Sequence, residues 1–152
     1  MKRVLIDSNF LVALLDQADT WHSTAKDIEH SIPENVLLIV PDIVAAETLS
    51  VIARRLEEKK RSGLFPSIVA TLRQNLPSSR LAWITPSVPD LYDELLDLMV
   101  SYNGTLNFND CLLVLYMRKT RYQYLLSFDS DFDAVEDIQR LGSRADVASH
   151  LT

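Results

Sequence analysis

Four short apolar runs divide the chain and are separated by segments whose apolar residues recur at helical spacing. The runs span residues 4–6, 36–40, 81–84 and 122–126. Runs of this length are typical of strands that are buried on both faces, so we predict a strand at each of them. A short edge strand is predicted around residues 138–141. Strands that alternate with helices predict an α/β fold around a mostly parallel sheet.

Polar residues that cap helix N-termini mark where the predicted helices begin. They are Ser8 or Asn9, Thr20, Asp42, Ser87, and Asn107 or Asn109. A further helix is predicted over residues 66–76, between Gly63 and Pro77. The helix after Asp42 has its predicted apolar stripe at Ile43, Ala46, Leu49, Ile52, Ala53 and Leu56. Because the chain has no repeat or linker and a typical domain length, residues 1–152 are predicted to form a single domain.

Composition excludes several classes of protein. The single cysteine, Cys111, cannot form an internal disulfide, which suits a reducing compartment. No stretch approaches the roughly 20 apolar residues of a membrane helix. Asp7 interrupts the apolar N-terminus too early for a signal peptide. We therefore expect a soluble cytoplasmic protein, and its net charge of −6 at first argues against nucleic-acid binding.

Acidic residues occur where the predicted strands and helices meet. Asp7 directly follows the first strand, and Asp129, with Asp131 beyond it, follows the fourth. Glu47 lies about one turn into the helix after the second strand, and Asp110 lies in the first turn of an otherwise apolar helix. Ligands of parallel α/β sheets bind beyond the carboxyl ends of the strands. If the first and fourth strands are neighbours, four of these carboxylates converge there.

Each acid also has a simpler interpretation when it is taken alone. Asp7 and Asp110 can cap helices or complement a helix dipole, and Glu47 can be a solvated helix residue. The acidic stretch over residues 129–137 can be an exposed loop. A buried cluster of carboxylates, however, is costly without a partner, and mutual repulsion raises some of their pKa values. A divalent cation such as Mg²⁺, which prefers oxygen ligands, resolves both problems.

Other chemistries fit the sequence poorly. The segment that begins at Asp129 resembles the start of an EF-hand loop, but Ala134 and Arg140 replace the glycine and glutamate that such a loop needs. A haloacid-dehalogenase phosphatase carries its Asp-x-Asp pair on the first strand rather than late in the chain. The three histidines are scattered, and three glycines cannot form a phosphate-binding loop. Cys111, inside an apolar helix, is expected to be a core residue rather than a nucleophile.

Four segments together resemble the PIN-domain nucleases. Residues 7–9 (Asp-Ser-Asn) resemble the opening motif of that family, and Glu47 matches its acidic position after the second strand. Residues 109–113 resemble its helical acid followed by small and apolar residues. Residues 126–133 resemble its closing Ser/Thr-x-Asp-x-Asp-Phe segment. Each motif is weak alone, whereas four in the right order form a fairly specific signal.

The resemblance implies a three-layer α/β/α fold with strand order 3-2-1-4-5 and residues 1–152 as one PIN-like domain. It also implies cleavage of RNA with Mg²⁺ or Mn²⁺. By the match, the catalytic and metal-binding residues are Asp7, Glu47, Asp110 and Asp129, with Asp131 as a fifth metal-binding acid. Ser8, Asn9 and Ser127 would orient carboxylates or waters. Many small members are VapC-type toxins, so an antitoxin and a second copy of the chain are the expected protein partners.

In the mechanism that we expect, a metal-activated water attacks the phosphodiester in line and leaves a 5′-phosphate and a 3′-hydroxyl. No protein nucleophile is needed. Three alternatives stay open: a catalytically weak RNA-binding or assembly module with this fold, a metal-dependent α/β phosphatase, and a nuclease directed at DNA.

The net charge hides two basic clusters. Residues 54–61 hold five basic and two acidic residues, and residues 118–121 contribute three more basic ones. Both clusters can be solvated helix ends. In the nuclease interpretation they form a rim for the RNA backbone, while bound cations offset the acidic centre. The candidate RNA-binding residues are Arg54, Arg55, Lys59, Lys60 and Arg118.

Overall fold

The computed structural model describes residues 1–152 and contains alternating parallel strands and helices. The strands are β1 (Lys2–Ile6), β2 (Val36–Pro41), β3 (Leu81–Ala82), β4 (Tyr124–Leu126) and β5 (Gln139–Leu141). The helices are α1 (Ser8–Leu15), α2 (His22–Ser31), α3 (Asp42–Glu58), α4 (Phe65–Asn75), α5 (Val88–Ser101), α6 (Phe108–Thr120) and α7 (Arg144–His150). Short 3₁₀ turns cover Ser62–Leu64, Ser78–Arg80, Thr85–Ser87 and Ser130–Ala134.

The five strands form one sheet in the order β3-β2-β1-β4-β5, and every pair is parallel. The predicted strand order is therefore confirmed. β1 lies at the centre, where Leu5 pairs with Ile39 of β2 and Leu125 of β4. Because β1 and β4 are neighbours, the residues that follow them meet at one edge, and the Asp7 N–H donates to the Leu126 carbonyl at 3.0 Å.

Helices cover the sheet and enclose the core. α1 packs against α2 and α3, α3 against α4, and α2 against α7, whereas α5 packs against α6. The central residues of β1 and a long run in α6 are fully buried, as expected of apolar segments with no polar face. None of the helices has both the length and the apolar character that spanning a membrane requires.

Several helix starts differ from the prediction. α1 is capped by Asp7 rather than by Ser8 or Asn9, and α2 is preceded by Trp21 rather than by Thr20. For α6, Asn107, one of the two predicted candidates, is the cap. For α1 and α2 the predicted residue lies within one or two positions of the observed cap, because several good capping residues are adjacent and the tertiary contacts select one.

Asp42 was expected to cap α3 but lies inside that helix, which Pro41 precedes. Its Oδ1 instead accepts the backbone N–H of Ile84 at 2.9 Å. This bond ends β3 early: Leu81 and Ala82 alone pair with β2, and Trp83 is exposed. The predicted strand over residues 81–84 is therefore too long.

The buried face of α3 also differs from the predicted stripe. Its buried residues are Val44, Ala45, Thr48 and Ile52, whereas Ala46 is exposed. The packing of α1 and α4 against α3 decides which face of α3 is buried. The sequence of α3 could not predict that face, because small residues occur on several sides of the helix. The final helix, α7, had no sequence prediction; Ser143 caps it and Val147 is its buried residue.

Candidate metal-binding active site

Asp7 lies where β1 ends and α1 begins, and only 4% of its surface is exposed. As the residue before α1, it accepts the Ser8 N–H with Oδ1 at 2.7 Å. The pKa of Asp7 is raised to about 6, chiefly because the carboxylate is buried. Hydrogen bonds from Ser127 and Ser8 lower this pKa, and the charges of Glu47 and Asp129 raise it. This carboxylate is therefore held in an environment that disfavours its charge.

Asn9 and Ser127 hold the other oxygen of Asp7. Oδ2 accepts from the Ser127 hydroxyl at 2.7 Å and from the Asn9 amide Nδ2 at 3.0 Å. The same hydroxyl accepts the Asp129 N–H at 3.0 Å, and Asn9 Oδ1 accepts the Phe128 N–H at 3.0 Å. Two polar side chains thus tie the end of β1 to the end of β4. Ser8 contributes its backbone N–H to this network.

Asp110 is the third residue of α6 and forms a reciprocal cap with Asn107. Its Oδ2 accepts the Asn107 N–H, and Asn107 Oδ1 accepts the Asp110 N–H, both at 2.9 Å. Burial raises the pKa of Asp110 to about 6, opposed by the Asn107 bond and reinforced by the charges of Asp7, Asp129 and Glu47. The capping interpretation therefore holds for this residue, and its role in metal binding stays a prediction.

Asp129 and Glu47 complete the group. Asp129 is half-buried and its Oδ1 accepts the Asp131 N–H at 2.9 Å, which fixes the turn after β4. Glu47 projects from α3, is half-buried, and is close enough to raise the pKa of both Asp7 and Asp110. Asp131 is exposed, and it is joined to the group through its backbone N–H, which Asp129 Oδ1 accepts.

The donor set of this cluster fits a hard divalent cation. The charges of the neighbouring carboxylates raise the pKa values of Asp7 and Asp110, and none of the four acids forms an ion pair, since the five ion pairs of the structure lie elsewhere. No three of these side chains are arranged to hold an ion by direct contacts alone. Mg²⁺ binds through one or two carboxylates and keeps several waters, so it does not need three direct protein ligands.

A family model described as PIN domain matches residues 4–138. The chain belongs to the PIN domain family. A search of curated proteins gave no match. Among solved structures, this PIN domain is similar to the crystal structure of VapC20 from Mycobacterium tuberculosis, described as a Sarcin-Ricin loop cleaving toxin. That similarity has a TM-score of 0.69 and 25% sequence identity, and it covers 88% of this chain and 95% of the other. The predicted family and fold are thereby confirmed.

The predicted RNA-binding residues of this PIN domain lie in different surroundings. Arg55 pairs with Asp16 at 3.0 Å and with Asp19 at 2.6 Å. Arg118 makes a two-pronged contact with Asp137 at 2.8 and 2.9 Å. The remaining three, Arg54, Lys59 and Lys60, are exposed and make no ion pair. Arg55 and Arg118 thus have structural partners, and an RNA contact by any of the five stays a prediction.

An open groove of about 450 Å³ adjoins the acidic cluster, and we call it the Trp21 groove. Its lining combines parts of α1, the turn before α2, α3 and the turn after β4. The lining residues are Ser8, Asn9, Val12, Asp19, Trp21, Val51, Arg54, Arg55, Phe128 and Asp129. Asp129, Arg54 and Arg55 were already candidates from the sequence. Trp21 and Phe128 were not, because they lie more than a hundred residues apart and only the fold brings them together.

Arg140 is a second residue that sequence reasoning missed. Its Nη1 donates to the Ser127 carbonyl at 3.1 Å, and its guanidinium makes a two-pronged contact with Asp133. It therefore braces the backbone at the end of β4, where Ser127 faces Asp7. Its neighbour Gly142 leaves room for this contact, since a Cβ there would collide with Arg140 Nη1.

Cysteine and histidine contribute nothing to the acidic cluster. Cys111 is fully buried, and burial raises the pKa of its thiol to about 11, which suits the expected core role. His22 lies near Ala13, whose carbonyl is 2.7 Å from its Nδ1. The side chains available for chemistry at this edge are therefore carboxylates, amides and hydroxyls.

Proposed function

We propose that this PIN domain is a metal-dependent endoribonuclease that hydrolyses phosphodiester bonds in RNA. The observation that carries the proposal is the group of four carboxylates without ion pairs at the ends of β1 and β4, beside the starts of α3 and α6. VapC20, which shares the fold over most of both chains, is a Sarcin-Ricin loop cleaving toxin. This similarity supports RNA as the substrate class and a toxin role.

The residues that would hold Mg²⁺ or Mn²⁺ are Asp7, Glu47, Asp110 and Asp129, with Asp131 as an outer acid. A divalent cation there supplies two effects: it makes bound water more acidic, and it offsets negative charge on the scissile phosphate. Either ion satisfies the oxygen-only donor set.

The chain's own groups orient the carboxylates. Asn9 and Ser127 fix Asp7 Oδ2, so the Ser8 N–H and these two side chains leave the carboxylate one orientation. Asn107 fixes Asp110 in the same manner. Since the Cys111 thiol is buried with its pKa raised to about 11, and no histidine bonds to these carboxylates, the attacking group in this proposal is water. Hydrolysis in line then leaves a 5′-phosphate and a 3′-hydroxyl, which end-labelled RNA fragments distinguish from 2′,3′-cyclic products.

Two protein partners follow from the toxin proposal. A groove between α1, α3 and α4 is lined by Leu15, Ile52, Leu56, Leu64 and Ile68, by the cations Lys59 and Arg61, and by Arg55 paired with Asp16. An antitoxin segment with apolar and acidic side chains fits this lining. Co-purification of a protein encoded beside this gene, lost in Ile68→Glu, would support that assignment; retention of the complex would contradict it.

Homodimerisation is supported by an apolar stripe on α5. Tyr92, Leu96 and Val100 are spaced four residues apart and exposed by 52%, 39% and 74%. Exposed apolar side chains on one helix face are typical of interaction surfaces. Light scattering should give the dimer mass for the wild type and the monomer mass for Leu96→Glu. A monomeric wild type would refute this part of the proposal.

Cleavage of RNA tests the function directly. The wild type is expected to cut a structured RNA in Mg²⁺ or Mn²⁺ and not in EDTA, and Asp7→Asn is expected to be inactive. Asp93→Asn is the matched control, because it removes the same charge from an exposed position in α5. Parallel assays on DNA and on a small phosphate ester separate the alternatives. Full activity of Asp7→Asn, or RNA binding without cleavage by the wild type, would overturn the proposal.

A further inference from the structure

Trp21 presents a flat aromatic face beside the acidic cluster. Its indole stacks on the Phe128 ring with centroids 4.8 Å apart and planes 12° apart. Phe128 in turn contacts the buried ring of Phe10 at 5.4 Å. One face of the indole is therefore covered, yet 49% of Trp21 stays exposed. A half-exposed tryptophan that is supported from behind is unusual for a residue whose only role is packing.

The aromatic pair is fixed relative to the carboxylates. Asn9 donates to Asp7 with Nδ2 and accepts the Phe128 N–H with Oδ1, so a single amide sets the distance between them. On the other side, the Trp21 N–H donates to Asp19 Oδ1 at 2.8 Å, and Arg55 holds Asp19 Oδ2 at 2.6 Å. Both residues are thus anchored through their backbones, and the Phe128 ring supports one face of the indole.

The Trp21 groove is lined by two arginines and two acids, and one of the arginines is free to bind an anion. Arg55 is neutralised by Asp16 and Asp19. Arg54, one residue earlier on α3, lines the same groove, is exposed and has no acidic partner. The groove therefore places an available cation and an aromatic face beside Asp129.

We infer that Trp21 stacks on an unpaired nucleobase of the RNA, next to the phosphodiester that is cut, and that Arg54 contacts a neighbouring phosphate. This inference rests on the proposed ribonuclease function. Stacking needs an accessible base face, so the preferred substrate is a loop or single strand rather than a duplex. Stacking alone tolerates every base, so Trp21 would select strand state rather than sequence.

Intrinsic fluorescence tests the stacking without any cleavage. The chain has two tryptophans, so Trp83→Phe leaves Trp21 as the only indole. In EDTA, a single-stranded RNA of about 12 nucleotides is expected to quench Trp21 emission, and the same strand in a duplex is expected to quench it much less. The measurement is repeated in Mg²⁺ with Asp7→Asn, which is expected not to cleave, so that a cation can offset the acidic cluster. An unchanged spectrum with the single strand under both conditions would overturn the inference and leave this face to a protein partner.

Kinetics provide the second test. Trp21→Ala is expected to lower kcat/KM on single-stranded RNA by roughly tenfold, whereas Trp21→Phe keeps most activity. Trp83→Ala, at the other exposed tryptophan, is the control and should match the wild type. Thermal melting checks that Trp21→Ala is folded. Unchanged kcat/KM in a folded Trp21→Ala would refute the stacking role while the nuclease stands. Quenching by RNA in a protein that cuts nothing would refute the nuclease while the stacking role stands.

Discussion

Asp7→Asn is expected to abolish RNA cleavage and, in the absence of divalent cations, to make the protein more stable. Asp7 is 4% exposed, and its pKa is raised from an ordinary value of 3.8 to about 6. The folded state therefore binds a proton more tightly than the unfolded chain does. Above pH 6 the carboxyl is ionised in both states, and the buried charge lowers the free energy of unfolding by its full amount.

The size of this effect follows from the shift. About two pKa units correspond to roughly 3 kcal/mol. Asparagine keeps the oxygen that accepts the Ser8 N–H but places an NH₂ group opposite the Asn9 amide and the Ser127 hydroxyl. The bond from Ser127 to the ionised carboxylate is already part of the net pKa shift, so the added donor–donor contact costs about 1 kcal/mol. The net gain of roughly 2 kcal/mol raises the melting temperature by about 4–8 °C for a chain of this length.

Thermal and urea unfolding at pH 7.5 in EDTA measure this gain. Because the unfavourable charge is lost as the pH falls through 6 towards 3.8, its cost should fall by about half at pH 5, and the net advantage of Asp7→Asn should fall from roughly 2 kcal/mol to less than about 1 kcal/mol. Mg²⁺ at a hundredfold excess over its Kd adds about 3 kcal/mol to a protein that binds it. The wild type should therefore overtake the variant in Mg²⁺.

The control is Asp93→Asn, which changes the net charge equally at an exposed site and should behave as the wild type. An Asp7→Asn variant that is no more stable than the wild type at pH 7.5 in EDTA would show that the buried charge of Asp7 does not destabilise the protein. A stability difference that does not depend on pH would show the same.

Three further outcomes are expected. Thr48→Val should raise the unfolding free energy by about 1 kcal/mol in urea titrations, because Thr48 Oγ1 is buried without a hydrogen-bond partner; a loss of stability would contradict this. Ser127→Ala removes a bond to the ionised Asp7, so in EDTA it should destabilise the protein by about 2 kcal/mol at pH 7.5 and raise the pKa of Asp7 further; an unchanged pKa, read from the pH dependence of stability in EDTA, would exclude this role. Gly142→Ala should displace Arg140 from the Ser127 carbonyl and cost about 1–3 kcal/mol in melting experiments, and an unchanged melting temperature would contradict the bracing role.

Much of the candidate site was predictable because its acids lie at positions that local patterns define. Asp7 ends an apolar run, and Asp110 lies in the first turn of an apolar helix, so both could be assigned to strand and helix ends before any tertiary contact was known. The strand order came from the resemblance to the PIN-domain nucleases, and the sheet confirms it. The orientation of Glu47 towards the site was harder to predict, because the predicted apolar stripe of α3 was wrong and its neighbour Ala46 is exposed.

The remaining features depend on which distant segments meet. Ser127 was expected to orient a carboxylate, but its bond to Asp7 joins residues 120 apart in sequence. Arg55 and Arg118 were predicted to contact RNA, but in the fold each forms an ion pair with an acid from a distant segment of the chain. The stacking of Trp21 on Phe128 had no local signal, because neither residue belongs to a periodic pattern that requires the other.

The sequence by itself determined the alternation of buried strands and helices and the placement of acids at their ends, because apolar periodicity reports burial within a few residues. Tertiary structure decided which strand ends are neighbours, how strongly burial raises the pKa values of Asp7 and Asp110, and which cations and aromatic rings face the groove. Desolvation, ion pairing and stacking all depend on distances between segments that are far apart in sequence. The pairing of the central strand β1 with β2 and β4 fixes those distances.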